Sequence, residues 1–387
     1  MRFAVDAHAI GRHLTGNEVY VRSLLQAFAE IDRQSEFVAY VSASDAERHI
    51  PLRFTVRKVA SNPFTRLGWD LARLISLDQP DLVHVQYTAP LHTSVPVVTT
   101  VHDVSFLEHP EFFTFSRRTQ LRLTVARTVR TAAKILTVSE FSRDRILRAY
   151  NLPPDKVRVV SNAANPCFRP IGRETAQKAA AKLLGFPAPF VFCVGDLVPR
   201  KNQIGLIEAF ARLTTNYPQI KQHLVFTGKT SWFAAKVKEA AANSGVADRV
   251  HFTGFVPDED LLNLYNACDT FFFPSFYEGF GLPILEAMAC GRAVACSNTS
   301  AMPEVADGAG ITFDPTKPEE IEHALRDILL NSELRMRMER LGVQRASLFT
   351  WQKSARATLD VYREVVAERK GATVIPVPFH AAVQRKR

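Results

Sequence analysis

The sequence predicts an α/β protein of two doubly wound domains, each a parallel sheet with helices on both faces, set either side of a central cleft. Three observations lead there. Short apolar runs alternate with helical stretches through most of the 387 residues, a pattern of βαβ units rather than hairpins. The runs form two series, separated by the polar, proline-bearing segments "NAANPCFRP" and "GFPAP" between residues 161 and 189. The chain is also too long for one ordinary core.

In order, the first series of strands falls at 2–6, 37–41, 82–86, 97–101, 135–138 and 157–160. The second falls at 190–194, 223–227, 250–253, 270–273, 293–296 and 310–313. Each is a short apolar run, rich in β-branched or aromatic residues and bounded by polar or turn-forming residues. Helices are expected between them, at 18–30, 118–134, 140–149, 203–213, 259–267 and 283–290. We place an N-terminal domain at 1–168, a C-terminal domain at 169–350, a last helix at 351–368 and a basic, flexible tail at 369–387. Ligands of such sheets bind outside the carboxyl ends of the strands, so the residues just after each strand carry the functional information.

The stretch "SFYEGFGLPILEAMACG" follows the apolar run Thr270–Phe273. Gly279 and Gly281 argue against helix there, whereas Pro283 suits a first helical turn. Glu278 is then on a strand-end loop and Glu286 on the helix that follows. Between them the N–H groups of Phe280, Gly281 and Leu282 precede a helix start, which is a ready anion site. A loop carboxylate beside such a site can bind sugar hydroxyls, and a helix carboxylate can take two ribose hydroxyls. Two solvent-facing acids stabilising a helix start fit the same spacing. Arg200 and Lys201 follow strand 190–194 after a short loop and suit a diphosphate, or form a plain surface pair. His102 ends strand 97–101, placed for a sugar hydroxyl or as an ordinary turn histidine.

Taken together, "EGFGLPILEAMACGRAVACSNTSAMPEV", "PFVFCVGDLVPRKNQIGLIEAF", "AKILTVSEFSRDRI" and "TVHDVSF" resemble the retaining glycosyltransferases of the GT-B fold. The resemblance is to the E-x7-E type of glycosyltransferase family 4, which includes bacterial mannosyltransferases, and it covers nearly the whole chain. The resemblance implies two Rossmann-like domains, with donor bound to the second, acceptor to the first, and the last helix packed back on the first. It implies that Glu278 touches the donor sugar, Glu286 the ribose, and that Arg200 and Lys201 hold the diphosphate in place of a metal. By the same likeness His102 positions the donor sugar, and Gly254, Phe255 and Val256 approach the base. Departures are visible: Asp196 stands where many relatives have Arg, and Ala163 where many have Gly. In "LTGNEVYVRSLL", Gly16 fits a glycine-rich acceptor loop, while Asn17 and Glu18 depart from it. Asn17 reads equally well as a helix N-cap.

Other signals bound the reading. "TGKTS" echoes a phosphate loop but has His223 where its first glycine belongs. Asp258 to Asp260 follow Pro257 at a helix start, where capping explains them. Cys167, Cys193, Cys268, Cys290 and Cys296 have no CxxC spacing, so neither a zinc site nor a disulfide framework is expected. Of the net charge of +9, residues 1–170 hold 22 Lys+Arg against 16 Asp+Glu, and the tail holds five basic residues and no acid. On a helix over 117–134, Leu121, Val125, Val129, Ala132 and Leu136 share one face, and Arg127, Arg130 and Lys134 cluster opposite. That face is either simply solvated or docks on anionic lipid. No nucleic-acid module is present. No apolar run approaches a membrane span, and the N-terminal run is shorter than a signal peptide's core, so a cytoplasmic location is expected, peripheral to the membrane at most. The expected function is hexose transfer, mannose first, from a nucleotide sugar to a lipid-linked or polysaccharide acceptor, without cofactor or metal. A non-catalytic nucleotide-sugar-binding subunit of a polysaccharide-synthesis complex is the alternative.

Overall fold

The computed structural model describes residues 1–12, 15–187 and 189–371. Its strands form two all-parallel sheets. The first holds β1 (Arg2–Asp6), β2 (Glu36–Val41), β3 (Thr55–Lys58), β4 (Leu82–Gln86), β5 (Val97–Thr100), β6 (Lys134–Thr137) and β7 (Val157–Val159), in the spatial order β3-β2-β1-β4-β5-β6-β7. The second holds β8 (Phe190–Val194), β9 (His223–Thr227), β10 (Val250–Gly254), β11 (Thr270–Phe273), β12 (Val294–Ser297) and β13 (Ile311–Phe313), in the order β10-β9-β8-β11-β12-β13. Each order reverses once, between β1 and β4 in the first sheet and between β8 and β11 in the second. Those switch points are where a doubly wound sheet opens a crevice.

The alternation along β4 shows how the first sheet is covered. Leu82 belongs to the apolar layer shared with the helices Thr15–Ile31 and Trp351–Arg369, while Val83 and Val85 join the layer on the other face. His84 points to the first of these layers and is buried with both nitrogens engaged: Nε2 lies 2.7 Å from Thr100 Oγ1 and Nδ1 2.6 Å from Tyr362 Oη. Burial holds its pKa down to about 3. Tyr20 Oη, 2.9 Å from Thr100 Oγ1, completes a buried polar chain from the last helix to the first. That last helix crosses back from the second domain, with Trp351, Leu359, Tyr362 and Val366 in the first domain's core.

Every expected strand is present. β3 is additional: Thr-Val-Arg-Lys is an edge strand with three of its four residues exposed, so no apolar run betrays it. Four expectations need correction. The helix expected over 117–134 spans Phe115–Thr131, and Lys134 and Leu136 belong to β6. The basic cluster is therefore not assembled. Lys134 is buried and paired with Glu364 at 3.0 Å, and Arg127 donates to the carbonyls of Ala89, Pro90 and Leu91. Asn17 lies inside the helix Thr15–Ile31 and is not its N-cap. Asp258, Glu259 and Asp260 occupy the first turn of the helix Asp258–Ala267 without a capping bond, and Asp258 instead pairs with Arg22 at 3.1 Å. The tail beyond Gly371 lies outside the described residues.

Candidate active site

The second sheet's switch point carries the predicted donor residues. After β8 the chain turns at Gly195, whose φ of +150° and absent side chain leave room for Lys201: a Cβ there would stand 2.8 Å from Lys201 Cε. Next to it Gly228, at the end of β9, lies so close that its Cβ would meet the Gly195 carbonyl at 2.2 Å. Gly228 N–H in turn donates to the Gly254 carbonyl at the end of β10. A row of bare backbone thus runs along the strand ends, leading to Phe255, which is exposed, and Val256, which is buried. Asp196, which stands where many relatives carry arginine, accepts the Lys229 N–H at 3.0 Å and so ties the β8 and β9 loops together.

The turn Pro199–Lys201 and the loop after β11 bring the charges together. Arg200 Nη1 lies 3.1 Å from Glu278 Oε2 and also donates to the Tyr277 carbonyl, while Lys201 Nζ lies 2.8 Å from Glu278 Oε1 and over the Phe273 ring. Burial alone would raise the Glu278 carboxyl; the two cations outweigh it and hold the group below the usual carboxylate range. Glu278 is therefore ionised, and its partners share one compensating charge between two cations. Gly281, at φ +107°, opens the helix Leu282–Ala289 with Pro283 in its first turn. Among the described residues, the N–H groups of Phe280, Gly281 and Leu282 find no partner. The Phe280 side chain is core, packed 5.9 Å from Phe349, so only its backbone serves the site. Glu286 sits on that helix, 7% exposed, with Tyr265 Oη donating to Oε2 at 2.8 Å. Burial, partly offset by that hydroxyl, pushes its pKa up to about 7.

The first domain supplies the opposite wall. His102 Nε2 lies 3.0 Å from Gln86 Oε1, so that nitrogen carries the proton and Nδ1 is left as an acceptor. Burial lowers its pKa to about 4, keeping the ring neutral near pH 7. Tyr20 packs edge-on against it at 4.8 Å. Gly279 touches this wall directly: a Cβ there would stand 2.4 Å from the His102 carbonyl. Ser139 Oγ donates to the Gly279 carbonyl at 2.7 Å, and Ser142 Oγ lies within 3.1 Å of that carbonyl and 2.9 Å of the His102 carbonyl. Glu304 accepts the N–H groups of Glu140 and Phe141, closing the same seam from the second domain.

His102, Arg200, Lys201, Glu278, Gly281 and Leu282 thus meet along one seam between the domains, with Glu286 just behind. Gly16 and Asn17 lie in the first turn of the helix after β1. Gly16 is exposed, and among the described residues nothing stands within 4 Å of where a Cβ would be, so they do not require glycine there. Sequence reasoning missed Ser139 and Ser142 as domain-joining residues. The legible signal was capping: Ser139 accepts the Ser142 N–H at 3.1 Å as the N-cap of helix Glu140–Tyr150. Gln86 and Tyr265, which orient His102 and Glu286, had no signal beyond lying in apolar elements.

Comparison with known proteins identifies the family and the fold. Residues 14–166 match Glycosyltransferase Family 4 and residues 178–345 match Glycosyl transferases group 1. The chain is 32% identical to O-antigen chain mannosyltransferase B of Escherichia coli over 70% of this chain and 71% of that one. It is 28% identical to the D-inositol 3-phosphate glycosyltransferase of Saccharomonospora viridis over 76% and 72%. A serotype-specific mannosyltransferase of Escherichia coli matches at 28% over 62% of this chain but only 30% of its own length. Among solved structures, sucrose-phosphate synthase from Thermosynechococcus elongatus superposes with a TM-score of 0.77 at 19% identity, covering 95% of this chain and all of that one. The HepE protein of Anabaena with UDP-glucose superposes at 0.75 and 20% identity, over 94% and 99%. With both halves matched and a relative at 32% identity covered over 71% of its length, the chain belongs to the family 4 glycosyltransferases of the GT-B fold.

Proposed function

We propose that this glycosyltransferase moves a hexose, mannose first, from a nucleotide diphosphate sugar to a hydroxyl of a lipid-linked or polysaccharide acceptor, with retention and without a metal. The observation that carries it is the cluster at the second switch point: two cations around one ionised carboxylate, beside the open N–H groups of a helix start. A diphosphate entering there competes with Glu278 for Arg200 and Lys201. Once displaced, Glu278 is free to accept hydroxyls of the donor sugar, and the two cations with the helix N-terminus stabilise the departing diphosphate. His102, neutral and oriented by Gln86, faces this exchange from the other domain with a free acceptor nitrogen. Glu286 takes the ribose hydroxyls. The acceptor hydroxyl attacks from the face the diphosphate leaves, with no covalent protein intermediate. Mannose is favoured by the likeness of the "VPRKN" loop to those of mannosyltransferases and by the name of the Escherichia coli relative.

The test is turnover by the full chain with a panel of GDP- and UDP-sugars, with and without EDTA. We expect slow hydrolysis or transfer for GDP-mannose, unchanged by the chelator. Strict loss restored by a divalent ion would sink the role of Arg200 and Lys201, and preference for a UDP-hexose would replace the donor. Among the described residues no helix is long and apolar enough to cross a membrane. We place the chain at the cytoplasmic membrane surface through its first domain, where Leu123, Arg117, Arg122 and Arg130 are all exposed on the helix Phe115–Thr131. Flotation with anionic but not neutral vesicles is the expected result.

A further inference from the structure

The first sheet has its own switch point, between β1 and β4, and a second polar cluster stands there. Asp6 ends β1 and is 1% exposed. Its Oδ1 accepts the His8 N–H at 3.2 Å and lies 3.0 Å from His8 Nδ1, while Oδ2 has no partner among the described residues. Arg66, 5% exposed, brings Nη1 to 3.9 Å from Asp6 Oδ1, an ion pair beyond hydrogen-bonding distance, and among the described residues neither its Nη1 nor its Nε has a hydrogen-bond partner. A structural pair in the same domain looks different: Arg57 grips Asp78 through two nitrogens at 3.0 and 2.9 Å. Buried charged donors and acceptors are costly to leave unmade, so a pair held just too far apart to bond marks a place for something between them. The local backbone agrees. Arg66 opens a π-helical turn, Arg66–Asp70, a deviation that recurs at functional sites. The loop after β1 also meets the stretch that leads into this turn, with Arg12 donating to the Ser61 carbonyl.

We propose that Asp6 and Arg66 form an acceptor subsite for adjacent hydroxyls of a neutral sugar, Arg66 donating to one and Asp6 Oδ2 accepting from the other. The assignment rests on the glycosyl-transfer reading and names the acceptor side of that cleft. Two features decide the ligand class. Asp6 sets acceptor oxygens beside the donor nitrogens of Arg66, so the pair suits hydroxyls, which both donate and accept; a phosphate would crowd the Asp6 oxygens as well as meet the guanidinium. β1 is two strands from β5, roughly 10 Å at the usual interstrand spacing, so the occupant lies beside the donor sugar near His102 rather than in its place.

The experiment measures transfer by the full chain to octyl α-mannoside, octyl α-glucoside and D-myo-inositol 3-phosphate, using the nucleotide sugar selected by the donor panel. Arg66→Met and the nearly isosteric Asp6→Asn are compared with the unaltered chain. The expected result is use of at least one octyl glycoside, with KM raised at least tenfold in both variants, kcat at saturation changed much less, and donor affinity by calorimetry retained. Retained donor affinity also reports that each variant is folded. Asp6→Asn, which keeps volume but turns one acceptor oxygen into a donor, decides the matter if Arg66→Met unfolds. An unchanged KM, a loss confined to kcat, a dependence on Arg66 seen only with the inositol phosphate, or indifference to every octyl glycoside overturns the subsite. No donor binding by the unaltered chain would instead defeat the glycosyl-transfer reading itself.

Discussion

Glu286 offers a prediction whose size follows from its surroundings. Its carboxyl moves from an ordinary value of 4.5 to about 7 because it is buried with one hydroxyl partner. That rise corresponds to ~3 kcal/mol against the ionised form. Gripping two ribose hydroxyls requires the carboxylate. Apparent donor affinity should therefore scale with the ionised fraction, about a tenth at pH 6 and nine-tenths at pH 8, and weaken roughly tenfold between pH 8 and pH 6. Stability runs the other way. The folded pKa is raised, so this group's stabilising contribution is fully present below about 4.5, the unfolded value, and is lost as pH rises through about 7. The assay is calorimetric titration with an intact nucleotide sugar, whose esterified diphosphate does not titrate near neutrality, in buffers of different ionisation enthalpy to count released protons. His102, at about 4, does not change charge in this window. Glu286→Gln keeps the Tyr265 bond and should both weaken binding and flatten the pH slope. A flat profile in the unaltered chain, or an unchanged slope in the glutamine variant, would refute the reasoning.

Other substitutions probe the rest of the site. Glu278→Gln frees Arg200 and Lys201, so nucleoside diphosphate should bind tighter, by about 1–2 kcal/mol, while transfer collapses; calorimetry and turnover together check it, and unchanged transfer removes Glu278 from the chemistry. Gly279→Ala places a methyl 2.4 Å from the His102 carbonyl and should force the domains apart, lowering transfer by ~100-fold with a larger radius of gyration by X-ray scattering. Normal turnover would mean the seam gives way easily. Tyr362→Phe strips the partner from His84 Nδ1 and should cost about 1–3 kcal/mol, read as a lower midpoint by scanning calorimetry. An unchanged midpoint would show that water reaches that nitrogen.

The sheets were legible because their inner strands are buried on both faces and read as continuous apolar runs, as in Thr270–Phe273, where all four residues are buried. β3 was not, because an exposed edge strand carries no such pattern. The overlong basic helix has a related cause: Leu136 fits a helical face by spacing, yet Ala132 is already extended and the residues after it enter β6. Glu278, Glu286 and the cation pair could be singled out because a loop acid, glycines and a helix start lie close in sequence. That Glu278 sits between Arg200 and Lys201 was hidden, since the partners belong to separate strand ends. The same holds for Ser139, whose acceptor is 140 positions away, and for Asp6 and Arg66. Local patterns reveal elements and their ends; which ends meet depends on the strand order.

The return of the helix Trp351–Arg369 to the first sheet has a consequence for biosynthesis. The N-terminal half emerges from the ribosome lacking one wall, its Phe3, Phe28 and Leu82 uncovered until the entire second domain has been made. At about 5–20 residues per second this interval is on the order of ten seconds or more. Over that interval the nascent chain offers a greasy, half-built layer to chaperones, and a premature stop before Trp351 would leave that exposure permanent.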